Sequence, residues 1–226
     1  MTNEIVKKIT LTFDNGPTPG VTDKVLDILA RRNLDATFMV VGQNLFDPSA
    51  AALLDDVSAA GHWIGNHSLT HTVAFGERRD AEYVEHEIGE TQRLLGDHVH
   101  SRRFFRPFGN DGLLGPHLLC EAALTYLLRN RYTSVLWNSV PHDWDDPTGW
   151  VERCLADVAR QDWTVAVLHD IANASLARLL ELLDRLDDAG VEFTQEFPEA
   201  VIVTRDGEPV SLLDTYVAER NQPAAN

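Results

Sequence analysis

Asp14 and Asn15, in LTFDNGPTPG, and His67 and His71, in NHSLTH, supply a carboxylate, a side-chain carbonyl and two imidazoles. These are the parts of a hydrolytic metal site. The two histidines stand four residues apart. Asp14 and Asn15 end a predicted strand, where the chain turns sharply through Gly16 and Pro17. Asn15 is neutral where such a site normally carries a second acid. An amide oxygen can ligate, but it suits hard cations more than zinc. Each residue also has a plainer reading. Asp14 fits a turn, His67 and His71 fit a helix cap with Ser68 and Thr70, and Trp63, Trp137 and Trp144 fit a core or a pocket wall.

These residues need a scaffold, and the chain alternates between strand-like and helix-like segments. Residues 8–14 (KITLTFD) read as a buried strand. Residues 22–32 place Val25, Leu26, Ile28 and Leu29 on a helical stripe, with Thr22 as the expected N-cap. ATFMVVG at 36–42 is an apolar run suited to a parallel strand. Helix follows at 49–60, strand at 62–68 and a long helix at 80–96. FFRPFG at 104–109 is a strand broken at Pro107. Helices at 115–128, 148–160 and 174–189 alternate with the strands TSVLWNS and WTVAVLHD. VEFT follows, and AVIVTRDGEPVSL carries a predicted turn at Asp206-Gly207.

The order predicts an α/β fold, a parallel sheet of about seven strands with helices outside it, in a single domain over 1–226. Its motifs lie in 11–170, and 191–226 is a C-terminal extension ending in a frayed tail, NQPAAN. Asp14, His67, Arg106, Asp143 and His169 all fall at or just past strand ends. In a (β/α) barrel those ends share one face, where catalytic residues gather.

Composition bounds the partners. Apolar residues make up 44% of 226, enough for a sizeable core. Thirty-five acids against 19 Lys and Arg leave a net charge of −16, which disfavours nucleic acid, anionic membranes and polyanionic substrates but not neutral sugars. Cys120 and Cys154 are too sparse for a disulfide framework and read as buried free thiols. MTNEIVKKITLTFD has no apolar stretch of signal-peptide length, and no run of 18 apolar residues occurs, so the expected compartment is the cytoplasm.

TFDNGP, HSLTH, FRPFG, the HDW of WNSVPHDW, and VLHD occur in the order of the five motifs of the polysaccharide deacetylase family, the NodB-like or carbohydrate esterase 4 group. The resemblance runs from residue 9 to about 190. It implies a distorted (β/α) barrel that removes an N-acetyl group from an amino sugar with one divalent metal, often zinc, with cobalt or nickel as substitutes. By resemblance, Asp14 is the general base, and His67 and His71 are metal ligands with Asn15 in the place of the metal-binding acid. Arg106 pairs with the base. Asp143 and Trp144 are the acid and aromatic wall of the fourth motif. His169 is the general acid, and Val167 or Leu168 forms the apolar lining. The backbone N–H of Phe108 would add an oxyanion donor. Arg106 would keep Asp14 ionised, and Asp143 would fix the tautomer of His169 and raise its pKa.

Three positions depart from the family pattern. Asn15 replaces an acid, Val140 stands where an acid opens the fourth motif, and Val167 replaces a leucine. Three readings follow: an N-deacetylase acting on a small amino sugar or oligosaccharide, an amidohydrolase acting on a non-sugar C–N bond, and a non-catalytic glycan- or metabolite-binding barrel that lost its metal through Asn15. Retention of Asp14, Arg106, Asp143 and His169 favours the first two. His142, beside the fourth motif, either faces the pocket or does not. The histidines at 62, 86, 98, 100 and 117 read as surface or helix residues.

Overall fold

A computed structural model describes residues 6–210 and 213–218. The strand expected at 8–14 is Lys8–Asp14 (β1), and every residue after Lys8 in it is buried. Burial on both faces is what a central parallel strand requires. It is followed by Thr37–Val40 (β2), Trp63–Asn66 (β3), Phe104–Phe105 (β4), Thr133–Val135 (β5), Trp163–His169 (β6), Glu192–Phe193 (β7), Ile202–Arg205 (β8) and Glu208–Pro209 (β9). The sheet runs β6-β1-β2-β3-β4-β5-β8-β9, with β7 also pairing β1. Every pairing among the first seven strands is parallel, as predicted, while β8 joins β5 and β9 joins β8 antiparallel.

The sheet curls until the chain beyond β5 meets β6. Ser139 pairs with Ala166, and the Val167 N–H donates to the Ser139 carbonyl at 3.0 Å. This irregular contact is what makes the barrel distorted. Helices lie outside it. Trp150–Arg160 buries Trp150, Val151, Cys154 and Val158, and Leu179–Asp188 buries Leu179, Leu182, Leu183 and Leu186. Both sets recur at helical spacing and close the core against β1, β2 and β6. No helix among the described residues is long and apolar enough to cross a membrane.

Several elements differ from expectation. Thr22 is the first helical residue rather than the cap; its hydroxyl instead accepts from the Thr18 N–H at 2.7 Å and donates to Asp170 Oδ2 at 2.6 Å. The helix expected at 49–60 starts at Pro48, capped by Asp47. The strand expected at 104–109 is formed by Phe104–Phe105, with the Arg106 N–H still donating to the Asn66 carbonyl at 3.0 Å, and Pro107, which has no N–H, ends the ladder where the break was expected. Helix expected from 115 begins only at Glu121, where the Cys120 sulfur caps the Ala123 N–H. The segment after 190 is no appendage, since β7 and β8 complete the sheet. The Asp206-Gly207 turn forms with φ of 50° and 84°, the left-handed pair that a tight hairpin needs. The tail NQPAAN lies outside the described residues. Both cysteines are free and buried. His62, expected at the surface, is buried on Phe38 with its ring nitrogen accepting from the Ala36 N–H.

Candidate active site

The parallel register sets the first contact. Asp14 is the last residue of β1 and pairs with His169, the last residue of β6. Residues 155 positions apart in sequence therefore stand side by side at one end of the barrel, as their strand-end positions predict. Asp14 is 3% exposed and His169 8% exposed.

Arg106, fully buried, fixes the carboxylate. Its Nη1 donates to Asp14 Oδ1 and to Thr12 Oγ1, both at 2.7 Å, and its Nη2 donates to the Leu136 carbonyl at 3.2 Å. Burial pulls the Arg106 pKa down while the Asp14 charge pushes it up. A buried guanidinium facing a buried carboxylate is costly unless the two stay paired. The pair is thus mutually obligatory, and it leaves Asp14 Oδ2 free of Arg106.

His67 follows β3. Its Nδ1 lies 2.8 Å from the Arg106 carbonyl, a group that can only accept, so Nδ1 carries the proton and Nε2 keeps its lone pair. Nε2 lies 3.4 Å from Asp14 Oδ2. The His71 ring packs 4.5 Å from the His67 ring and edge-on to Phe108. Burial drives both imidazoles down to about 3, so both are neutral at ordinary pH, the form that ligates metals. The pair is not on one helix face. Ser68 and His71 adopt φ of 65° and 53°, so the stretch is an irregular turn.

Asn15 takes φ of 75°, a left-handed conformation that asparagine tolerates better than most residues. Its backbone carbonyl accepts from Asn44 Nδ2 at 2.7 Å. Its side-chain Oδ1 is buried and meets no partner among the described residues. The next residue must be glycine, because a Cβ on Gly16 would run into the Asp170 carboxylate.

Asp143 is completely buried and holds His169 twice: Oδ2 accepts from the His169 backbone N–H and Oδ1 pairs with Nδ1, both at 2.8 Å. Burial pulls the His169 pKa down, but the hydrogen bond and charge of Asp143, with Asp14 and Asp170 behind, outweigh it, and the net shift is upward. Trp144 stands edge-on to the His169 ring at 4.7 Å.

These side chains meet in one cavity of about 210 Å³. Asp14, Asn15, His67, His71 and His169 line it together with Phe108, Trp137, Trp144, Val140 and Val167. A wider hollow of about 1010 Å³ beside the helix Glu121–Arg129 holds none of the predicted site residues. Leu168 is a correction. Strand residues alternate sides, so Val167 and His169 face the cavity while Leu168 is buried in the core on the other face. Arg106 and Asp143 stand behind the lining and meet it through their bonds to Asp14 and His169. His142 stacks on Trp144 at 4.6 Å, with Asp145 and Asp111 at 3.6 and 3.9 Å, and stays on the rim rather than in the cavity. Asp111, His142 and Asp145 are an exposed group that sequence spacing did not single out.

Four further residues escaped the sequence reading. Thr12, two residues before Asp14 on the same strand face, shares Arg106 Nη1. Asn44 holds the turn at 15–16 and leaves no sequence signal. Asp170 lies within VLHD and is buried, with its pKa raised to about 6, chiefly by burial. Glu87 is also buried. Its signal was legible, since Val84, Glu87 and Thr91 fall on one helical stripe.

Known proteins resemble this chain in sequence and in fold. A sequence model described as polysaccharide deacetylase matches residues 2–110. A chitooligosaccharide deacetylase of Sinorhizobium fredii is 30% identical over 196 residues, spanning 80% of this chain and 86% of that protein. A peptidoglycan-N-acetylglucosamine deacetylase of Bacillus cereus is 29% identical over 194 residues, spanning 83% and 85%. Among solved structures, a family 4 acetyl xylan esterase from Clostridium thermocellum in complex with a cobalt ion aligns with a TM-score of 0.67 at 28% identity, covering 83% of this chain and 87% of that one. Relatives that match over most of their own length, together with the fold, place this chain in the polysaccharide deacetylase family.

Proposed function

We propose that this protein hydrolyses the N-acetyl group of an amino sugar or a short oligosaccharide. The observation that carries the reading is the convergence of two balanced pairs, Asp14–Arg106 and His169–Asp143, with two neutral histidines on one small cavity. A fold that only bound glycans would have no use for a buried base and a buried acid at adjacent strand ends.

The residues present fit a divalent metal. His67 Nε2 has a free lone pair, His71 is neutral, and the buried Asn15 Oδ1 has no partner among the described residues. We assign His67, His71 and Asn15 as its holders. Such an ion supplies Lewis acidity toward the acyl oxygen and lowers the pKa of water. The other tasks fall to side chains. Arg106 keeps Asp14 oriented, so that Oδ2 can take a proton from the attacking water. The Phe108 N–H, on a residue that lines the cavity, would add an oxyanion donor. The C–N bond breaks as His169 Nε2 gives its proton to the leaving nitrogen, and Asp143 stabilises the charged ring beforehand. Trp144 and Trp137 wall the site against bulk water. A net charge of −16 suits neutral sugars better than anionic polymers.

Acetate release tests the reading. The protein loaded with zinc or cobalt should free acetate from N-acetylglucosamine oligomers and lose this activity on chelation. Release from acetylated xylan but not from the amino sugars would make it an O-deacetylase. Asn15 favours one second reading, a binder without metal. Absence of acetate from every substrate, with glycan binding retained, would establish it.

A further inference from the structure

The turn that presents His71 is unfavourable by itself. Ser68 and His71 are both non-glycine residues in the left-handed region. Something must hold them, and the holders of one edge come from one place. The helical stretch Ala81–Val84 and Glu90–Leu95 is interrupted by a π turn, Glu85–Gly89. Such turns insert a residue, leave carbonyls without their usual partners and occur often at functional sites. Two adjacent residues of this turn grip both ends of the 66–70 segment. The Ile88 carbonyl accepts from Asn66 Nδ2 at 2.9 Å, while Asn66 Oδ1 accepts from the Ser68 N–H at 3.0 Å. Glu87 Oε2 accepts from the backbone N–H groups of Leu69 and Thr70 at 3.0 and 2.9 Å. Its Oε1 accepts from Thr70 Oγ1 at 2.8 Å. The opposite edge of the segment is held by Gly42 and Gln43, whose N–H groups donate to the Ser68 and Leu69 carbonyls.

Glu87 is 2% exposed, and the partners of its carboxylate are two amides and a hydroxyl, none of them a cation. Burying a carboxylate on dipoles alone is an expensive way to fill a core position that an apolar residue could occupy. The expense is understandable if the two amides just before His71 must converge on one point.

We propose that Glu87 is a positioning residue: delivered by the π turn, its carboxylate fixes the backbone of Leu69 and Thr70 and so sets where the His71 imidazole stands in the cavity. The proposal rests on the reading of His71 as a metal ligand, and its test separates the two. Zinc affinity is measured by chelator competition on the full chain, with melting temperature of the metal-free protein alongside, for Glu87→Ala, Glu87→Gln, His71→Ala and Leu183→Ala. Loss of a group that orients a ligand costs about 10–100-fold in metal affinity, the fall expected for Glu87→Ala. Glu87→Gln keeps acceptors for the two amides and should stay close to the unaltered protein. Leu183→Ala, a core truncation in the helix Leu179–Asp188, should lower the melting temperature without moving zinc affinity. A fall in affinity for His71→Ala but none for Glu87→Ala overturns the proposal alone. No fall for His71→Ala, or no zinc bound by the unaltered protein, overturns the ligand reading and the proposal with it. If Glu87→Ala does not fold, Glu87→Asp, one methylene too short to hold both amides, takes its place with the same outcomes.

Discussion

Replacing Asn15 by Asp changes one charge and almost no volume, and the site amplifies that charge. As it stands, Asp14 is balanced by Arg106 at 2.7 Å, His169 by Asp143 at 2.8 Å, and both ligand-type histidines are neutral. The groups assigned to hold a cation, His67, His71 and the Asn15 amide, are therefore uncharged before any cation enters. At ~4 Å and an effective dielectric of ~20, two unit charges interact by ~4 kcal/mol, and a dication doubles this to ~8 kcal/mol. Desolvating the new carboxylate takes back several kcal/mol. A remainder of ~3–4 kcal/mol corresponds to ~10²–10³-fold tighter metal binding. The metal-free variant should behave in the opposite way. Two carboxylates at adjacent positions in a buried pocket repel, so without metal Asn15→Asp should melt lower than the unaltered protein at pH 8. With saturating zinc the order should reverse, because ligand binding stabilises by mass action. Chelator-competition titration and paired melting curves read both effects. Zinc affinity that stays the same or falls in Asn15→Asp would refute the charge account of the site.

The other predictions concern protons and buried charge. Asp14→Asn and His169→Ala should each lower kcat by about 10²–10⁴ while leaving the circular dichroism spectrum unchanged. Because the His169 pKa lies above its ordinary 6.5, the alkaline limb of the rate profile should sit above that value, and Asp143→Asn should move it down. Arg106→Ala strands a buried carboxylate and should cost ~3–5 kcal/mol in urea unfolding, against the small effect expected had the pair been exposed. Asp170, raised from 3.8 to about 6 by burial, favours the protonated folded state, so its contribution to stability is complete below pH 3.8 and is lost as pH rises through about 6. Asp170→Asn should remove that loss, widening the stability difference in the variant's favour by ~3 kcal/mol between pH 4 and pH 8; a difference that does not change with pH would contradict it.

Parts of the molecule that answer to periodicity were legible in the sequence. Lys8–Asp14 is an unbroken buried run, and its boundaries match those read from the sequence. The helices Trp150–Arg160 and Leu179–Asp188 declare themselves by apolar stripes. Strand ends then located Asp14, His67, Arg106 and His169 without any knowledge of tertiary contacts, because in a parallel barrel those ends converge. Elements defined by pairing rather than pattern were less legible. Phe104–Phe105 is short because Pro107 ends its ladder, a break the sequence does show, whereas Thr133–Val135 is short because the chain turns to close through Ser139, an event not written in hydrophobicity. The choice between Val167 and Leu168 depended on a register that two adjacent apolar residues do not reveal.

Residues that hold the backbone of the site were the hardest to see, and for one physical reason. A metal ligand or a base must be a particular side chain, so its type is a signal. A group that satisfies loop amides can be Asn, Asp, Glu or Thr, and its partners lie far away in sequence. Asn44 reaches the carbonyls at 15 and 16, Thr22 and Asp170 meet across 148 positions, and Glu87 reaches Leu69 and Thr70 from the next helix. In each case a buried or half-buried polar side chain fixes a segment that carries a cavity residue. The left-handed turns at Asn15, Ser68 and His71 are stable only because these distant groups meet them. The cavity is therefore specified twice, once by the chemistry-bearing residues at the strand ends and once by a set of hydrogen-bonding side chains behind them. Altering the second set should shift metal affinity and substrate fit while leaving every residue that touches the substrate in place.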